Sequence, residues 1–118
     1  MEIGSEWLVE AGGCDEAALR DVATLDALFA RLIAELELHP LHAPSWHQFP
    51  GPAGVTGFVM LTESHLACHT YPEHGIAAIN LYCCRPRPDW PWEERLAELL
   101  GAREVRVRLV ERWSERGS

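Results

Sequence analysis

The amino-acid sequence predicts an α+β two-layer sandwich, in which two helices cover one face of an antiparallel sheet in the order β-α-β-β-β-α-β. Three observations lead there. Apolar residues recur at three- and four-residue spacing in one long stretch and one short one. Three strand-like runs follow closely between residues 55 and 83, and the last run alternates apolar residues with arginine.

Residues 7 to 11, WLVEA, read as a short strand ended by Gly12 and Gly13. Leu19, Val22, Leu25, Leu28, Leu32 and Leu36 then mark one long helix, with Asp15 or Thr24 to cap its start and a stop near Leu38, before Pro40. Residues 39 to 54 carry four prolines and two glycines and read as a loop, with one extended piece around Ser45 to Phe49. The runs at 55 to 61, 66 to 71 and 76 to 83 form a meander, with turns on Glu63 to His65 and on Pro72 to Gly75; hairpin connections make the pairing antiparallel. The second helix, WEERLAELL, has Pro91 at its first turn and Gly101 just past its end. A final strand at 104 to 110 leads into a polar tail, 112 to 118, expected to fray.

Alternation assigns faces. Ala77, Ile79 and Leu81 are expected under the helices, with Ala78, Asn80, Tyr82 and Cys84 on the other side. In the last strand Val105, Val107 and Leu109 should face the helices while Arg106 and Arg108 point away. The second sheet face is therefore partly polar, a place for a site or a partner sheet.

A length of 118 residues and 47% hydrophobic content suit a single domain, residues 1–118, with one core. The formal charge of −8 argues against nucleic acid or an anionic membrane as partner and suits a cationic or zwitterionic small molecule. No apolar run reaches the roughly 20 residues of a membrane span, and the opening MEIGSEWLVE does not read as a signal peptide, so a cytoplasmic protein is expected. Cys14, Cys68, Cys83 and Cys84 include no CxxC and are expected as free thiols.

The chemistry centres on residues 62 to 75, TESHLACHTYPEHG. A hydrolase nucleophile would sit in a GxSxG elbow, but no glycine flanks Ser64. A metal site would pair histidines around a glutamate, and His65, His69 and His74 form no such pair, so no metal is expected. On residue chemistry alone a polar turn at Ser64, with His65 and His69 satisfied by the backbone, stands beside these two readings.

Glu63-Ser64-His65 followed by CHTYPE resembles the self-cleavage segment of the S-adenosylmethionine decarboxylase proenzymes, the short prokaryotic branch, whose members carry E-S-H-x-x-x-H-T-x-P-E. The resemblance runs from about Trp7 to Arg112. It includes CDEAAL after the first strand, WHQF in the loop, GVTG entering the meander, AAINLYCC in the third run and the helix starting PW.

The resemblance implies that the Ser64 hydroxyl attacks the carbonyl carbon of Glu63 in an N-to-O acyl shift, that His69 takes the Ser64 α-proton, and that position 64 becomes a pyruvoyl group. The chain would then be cut into 1 to 63 and 64 to 118. Thr56 stands where the family has a serine that assists processing, and threonine keeps the hydroxyl. A peptide carbonyl is a poor electrophile, so such a reaction calls for a strained turn, a well-placed hydroxyl and a donor for the developing oxyanion. The pyruvoyl ketone would form a Schiff base with the substrate amine and act as electron sink, with Cys84 as proton donor. Glu73 matches a glutamate that binds ribose hydroxyls, Phe49 an aromatic that stacks on adenine, and Trp7 is a further candidate for substrate contact. The family also implies a homodimer, with sites near the subunit interface, and a product that supplies the aminopropyl group of spermidine.

Departures from the family pattern lie toward the substrate end. Asn80 replaces an aspartate, Cys83-Cys84-Arg85 replaces threonine-cysteine-glycine, and Cys68 replaces an aliphatic residue. They leave S-adenosylmethionine as the leading substrate, with L-ornithine or L-arginine on the same machinery as the alternative. A non-processing binding relative and a His/Cys metal module are the other readings.

Overall fold

A computed structural model describes residues 3–113. A six-stranded antiparallel sheet carries its helices on one face. In chain order the elements are β1 (Gly4–Gly12), α1 (Glu16–Arg20), α2 (Val22–Glu35), β2 (Ser45–Gln48), β3 (Val55–Met60), β4 (Ser64–Tyr71), a 3-10 turn (Pro72–His74), β5 (Ile76–Cys83), α3 (Trp92–Leu100) and β6 (Glu104–Arg112). The strands lie in the order β2-β3-β4-β5-β1-β6. The expected two-layer sandwich is therefore present, with one helix and one strand more than the sequence indicated.

The extra helix comes from Asp21. Apolar spacing runs on through residues 19 to 36, which is why it reads as one helix. The Asp21 backbone is extended, and its carboxylate accepts from Ala23 N at 3.2 Å and from Thr24 Oγ1 at 2.7 Å. It ends α1 and caps α2. Asp15 caps α1, accepting from Ala17 N, whereas Thr24 is a donor to the cap rather than a cap. The helix stops at Glu35, short of Leu38. Glu37, at φ 54°, closes it with bonds from Glu37 N to Ala34 O and from Leu38 N to Ile33 O.

The extra strand, β2, is the extended piece expected around Ser45 to Phe49, here paired into the sheet rather than left in the loop. Its ladder to β3 runs from Ser45↔Phe58 to Gln48↔Val55. Trp46 anchors this edge: its ring packs on Phe29 with centroids 4.8 Å apart, and its Nε1 donates to Asp26 Oδ1 at 3.0 Å. The ring lies directly over Gly57, where a Cβ would collide with it.

Other bounds shift modestly. β1 starts earlier than expected. β4 begins at Ser64; since Leu61 already bonds back to Ser64 O, only Thr62 and Glu63 form the turn from β3, and His65 is a strand residue. Arg112, placed in the frayed tail by sequence, pairs with Gly4 at the end of β6. Residues 114 to 118 of that tail lie outside the described residues.

The alternation holds. Ala77, Ile79 and Leu81 are buried against Leu19, Leu25, Leu28, Phe29 and Leu32 of the first helices and Leu96 and Leu100 of α3. Val107 and Leu109 share the helix side with Trp7 and Val9, their ladder partners in β1. They stay 40% and 53% exposed because β6 is an edge that the helices overhang only in part. Buried Thr70 takes a hydrogen bond from Val55 N at 2.9 Å and donates to Leu19 O at 2.8 Å, tying α1 to the sheet.

Glu35 joins α2 to α3. It accepts from Arg31 Nε at 2.8 Å, Trp90 Nε1 at 2.8 Å and Arg95 Nε at 3.2 Å, and these donors, Arg31 foremost, hold its carboxyl down at about 2.

Two outcomes follow. A depressed carboxylate contributes stability that is present above its unfolded value of 4.5 and lost as pH falls toward about 2. Urea titrations of Glu35→Gln should thus show reduced stability at neutral pH and convergence with the parent across that acid window. Gly57→Ala should lower stability by about 1–3 kcal/mol, as overpacking does, because the Trp46 ring must give way; thermal unfolding measures it.

Candidate active site

The residues singled out by sequence fall into two groups, at opposite ends of β4. The first surrounds the Glu63–Ser64 bond. The two-residue connection places Leu61 opposite Ser64, and Leu61 N donates to Ser64 O at 3.0 Å. Neither Thr62 nor Glu63 takes a positive φ, so the strained turn expected from the chemistry is not seen there. Placement comes from outside the hairpin. Thr62 N donates to His39 O at 2.9 Å, and Cys84 N donates to Glu63 O at 3.0 Å. That second bond points an N–H at the carbonyl oxygen on which charge would develop. Arg85 grips the Glu63 side chain, with Nε 2.6 Å from Oε2 and Nη2 3.0 Å from Oε1.

The two neighbouring cysteines differ. Cys83 lies across from Ser64 in the β4–β5 ladder, fully buried; burial pushes its thiol up, with the Ser64 hydroxyl acting the other way. Cys84 is the one exposed cysteine of the four and contacts Tyr82 on the open sheet face. Burial pushes Cys68 up to about 12 and Cys14 upward as well, so both are inert packing thiols.

The second group lines a cavity of about 280 Å³ at the other end of β4, with Phe49, Thr56, His69 and Glu73 in its wall. Thr56 and His69 are ladder partners, and Thr56 Oγ1 lies 3.2 Å from His69 Nδ1. Phe49 N bonds to Gly54 O at 2.9 Å, and Gly54 lies so close to Thr70 O that a Cβ would come within 2.7 Å. The loop thereby sets the Phe49 ring beside the pocket. Glu73, on the 3-10 turn, is exposed at the rim.

Five residue steps of extended chain lead from Ser64 to His69, about 16 Å at the usual strand rise. Within one protomer His69 does not reach Ser64. Trp7 joins neither group: it is buried on the helix side of β1, beside Trp90 and Trp92.

Between the two ends the open face carries a polar chain that the sequence did not reveal. His65 lies between the rings of Phe58 and Tyr82, with centroids 6.0 and 5.7 Å away. Its Nε2 is 2.9 Å from Asn80 Oδ1, Asn80 Nδ2 donates to Glu6 Oε2 at 2.6 Å, and Arg112 Nη1 donates to Glu6 Oε1 at 2.8 Å. With the amide nitrogen committed to a carboxylate, Asn80 offers an oxygen to His65, so His65 Nε2 carries the proton. Asn80 first, then Arg112, holds Glu6 below the usual carboxylate range against the opposing effect of burial. Around this chain Phe58, Met60, Tyr71, Ile76 and Val110 stand exposed, an apolar expanse in a polar frame. Only contact between distant strands could have disclosed the roles of Glu6, Asn80 and Arg112.

Among the described residues no three His, Cys, Asp or Glu side chains converge as metal ligands, and no helix is long and apolar enough to cross a membrane.

Comparison with known proteins gives a consistent result. The family described as S-adenosylmethionine decarboxylase matches residues 5–113. The S-adenosylmethionine decarboxylase proenzyme of Geobacillus kaustophilus (strain HTA426) is 36% identical over 102 residues, covering 85% of this chain and 79% of its own. The Moorella thermoacetica proenzyme of the same name is 33% identical over 112 residues, covering 93% and 87%. In three dimensions the chain is similar to the adenosylmethionine decarboxylase from Aquifex aeolicus vf5, with TM-score 0.79 and 25% identity over 99% of this chain and 97% of that one.

Because Cys84 is the exposed thiol, native protein should take up one equivalent of a thiol reagent promptly and four after unfolding. Cys84→Ala should abolish the prompt uptake.

Proposed function

The chain belongs to the S-adenosylmethionine decarboxylase family and is a decarboxylase; from that premise we propose that it cleaves itself at Ser64 and then decarboxylates S-adenosylmethionine. The observation that carries the reading is the hydrogen bond from Cys84 N to Glu63 O, beside a serine at the first position of a strand.

Ser64 Oγ attacks the Glu63 carbonyl carbon while the Cys84 N–H steadies the oxygen, and the peptide nitrogen leaves protonated. An ester now links the two residues. A base removes the Ser64 α-proton, the ester C–O bond breaks, and Glu63 departs as a carboxylate. The dehydroalanine left at 64 takes up water and releases ammonia to become the pyruvoyl group. Ser64 is present, its electrophile is held, and the residues fit this group. When formed, it supplies a ketone that binds the substrate amine and draws off the electrons freed with carbon dioxide.

The base in this reading is His69 of the partner subunit. The active form is a homodimer in which two open sheet faces stack at about 10 Å, with each β4 antiparallel to its counterpart. A two-fold axis then lays the Ser64 end of one protomer over the His69 end of the other, twice. The exposed apolar face supports it, as does the inability of one chain to join its own two halves. Cys84 and Ser64 come from one protomer; Thr56, His69, Phe49 and Glu73 come from its partner.

In the assembled site Thr56 orients His69 through their 3.2 Å contact. Phe49 offers a face for adenine, Glu73 accepts from ribose hydroxyls, and Cys84 Sγ holds the proton delivered to the substrate carbon that lost carbon dioxide. Trp7 acts only through the packing of β1. A basic amino acid would need carboxylates at its far end, and Glu73 alone lines this pocket; L-ornithine and L-arginine gain no support. The product would serve as aminopropyl donor for spermidine. The four free cysteines suit a reducing, cytoplasmic setting.

Purified protein should run as two fragments broken before residue 64, release carbon dioxide from S-adenosylmethionine, and remain whole and inactive as Ser64→Ala. An intact mass showing only the full chain in folded wild-type protein would sink the proposal. The shared site has its own test. Co-refolding Ser64→Ala with His69→Ala should cut the His69→Ala chain, since one site in each mixed dimer keeps both residues; a site built within one chain would leave it whole.

A further inference from the structure

Self-cleavage as proposed above, on which this inference rests, differs from ordinary proteolysis in its charge balance. The cut leaves a new α-carboxylate on Glu63, while the new end at 64 is a ketone and its nitrogen departs as ammonia. A chain already at −8 gains one negative charge and no ammonium to offset it. That carboxylate also shares a residue with the Glu63 side-chain carboxylate, so the two repel at short range.

Glu63 borders a cavity of about 550 Å³ between the end of α2 and the loop after β5, with Thr62, Arg85, Arg87 and Glu37 also in its wall. Arg85 is already committed to the Glu63 side chain, through contacts of 2.6 and 3.0 Å. Arg87 is not committed. Its Nε is buried and finds no partner among the described residues, while its Nη1 makes one 3.3 Å contact to Pro86 O. The Arg87 charge is felt at Cys83, and Cys83 faces Ser64 across the ladder. An unused donor therefore lies close to the bond that breaks. Of the nearby carboxylates, Glu35 is taken by Arg31, Trp90 and Arg95, which leaves Glu37 as the competitor within the chain.

We infer that Arg85 and Arg87 form a receptor for the carboxyl terminus that cleavage creates. Arg85 keeps the side chain it already holds, and Arg87 takes the new α-carboxylate. The severed end stays seated in the cavity, bound to the loop that follows Cys84 and clear of the space the substrate amine must enter. In the uncut chain Arg87 has no carboxylate at that place, so its contribution begins with the cut.

The test is digestion of the cleaved protein with a carboxypeptidase, following loss of Glu63 from the 1–63 fragment by mass. Wild type should resist. Arg87→Ala and Arg85→Ala should lose Glu63 roughly five- to tenfold faster, the scale of a partly exposed ion pair reinforced by a hydrogen bond, with Arg87→Lys between them and wild type. Arg87→Ala should also lower the melting temperature of cleaved protein by roughly 3–6 °C and leave that of the Ser64→Ala chain unchanged. Equal trimming of wild type and Arg87→Ala overturns the proposal. So does an equal loss of melting temperature in both backgrounds, which would assign Arg87 to Glu37 or to packing. A wild-type chain that never cuts overturns the processing reading itself, and is seen in the intact mass before any peptidase is added.

Discussion

The extension of β4 is the constraint on which the rest depends. A strand cannot double back, so residues at its first and sixth positions stay about 16 Å apart however the side chains turn. Ser64 and His69 occupy those positions. In the proposed reading the chemistry is divided between a cleavage end and a pocket end, and the open face between them is where two protomers would meet. Phe58, Met60, Tyr71 and Ile76 make that face adhesive, while the His65–Asn80–Glu6–Arg112 chain gives it a fixed polar pattern to be matched. Without a second sheet, such an apolar expanse would be a liability in water.

The Glu63–Ser64 end is held by neighbours remote in sequence. Its hairpin link is two residues long, and the groups that fix it come from His39 after α2 and from Cys84 and Arg85 after β5. His39 is positioned by the way α2 stops, with Glu37 in the left-handed region and Leu38 buried beneath it. The other anchor depends on the β4–β5 ladder running in register up to Ser64↔Cys83. Slip that ladder by one residue and the Cys84 N–H would no longer face the Glu63 carbonyl. The packing of the helices and the register of the sheet thus converge on one carbonyl oxygen.

Period-two and period-3.6 patterns carried most of the fold, because burial on one face leaves its record in every second or every third and fourth residue. β5, α3 and the buried set of the meander were legible for that reason. The break at Asp21 was not, since the apolar pattern continues across it and only a side-chain bond to the backbone ends the helix. β2 was legible only as an extended piece around Ser45 to Phe49 and not as a member of the sheet, because four residues between prolines are too few for a pattern and its pairing depends on a glycine, Gly57, that makes room for Trp46. In the candidate site, motif residues were visible one by one while their grouping was not. The spacing of Ser64 and His69 looks like proximity in a string of letters and is distance in a strand. Arg85 reads in sequence only as a departure from the family pattern, and the cavity that brings it and Arg87 to one wall with Glu63 has no signature there.

The strand order also explains how the chain, if cut as proposed, would not fall apart. Fragment 1–63 contains β1, β2 and β3, and fragment 64–118 contains β4, β5 and β6. In the order β2-β3-β4-β5-β1-β6, the pairs β3–β4, β5–β1 and β1–β6 all cross the cut. β1 is flanked on both sides by strands of the other fragment, in ladders running from Ser5↔Cys83 to Ala11↔Ala77 and from Gly4↔Arg112 to Gly12↔Glu104. The core is shared as well, since α1 and α2 come from one fragment and α3 from the other. The proposed cut would open a tight turn whose ends are already held by hydrogen bonds, so little conformational freedom would be released beyond Thr62 and Glu63. A cofactor made from the first residue of β4, as proposed, would start its life inside an intact ladder, placed by the same pairing that places the serine.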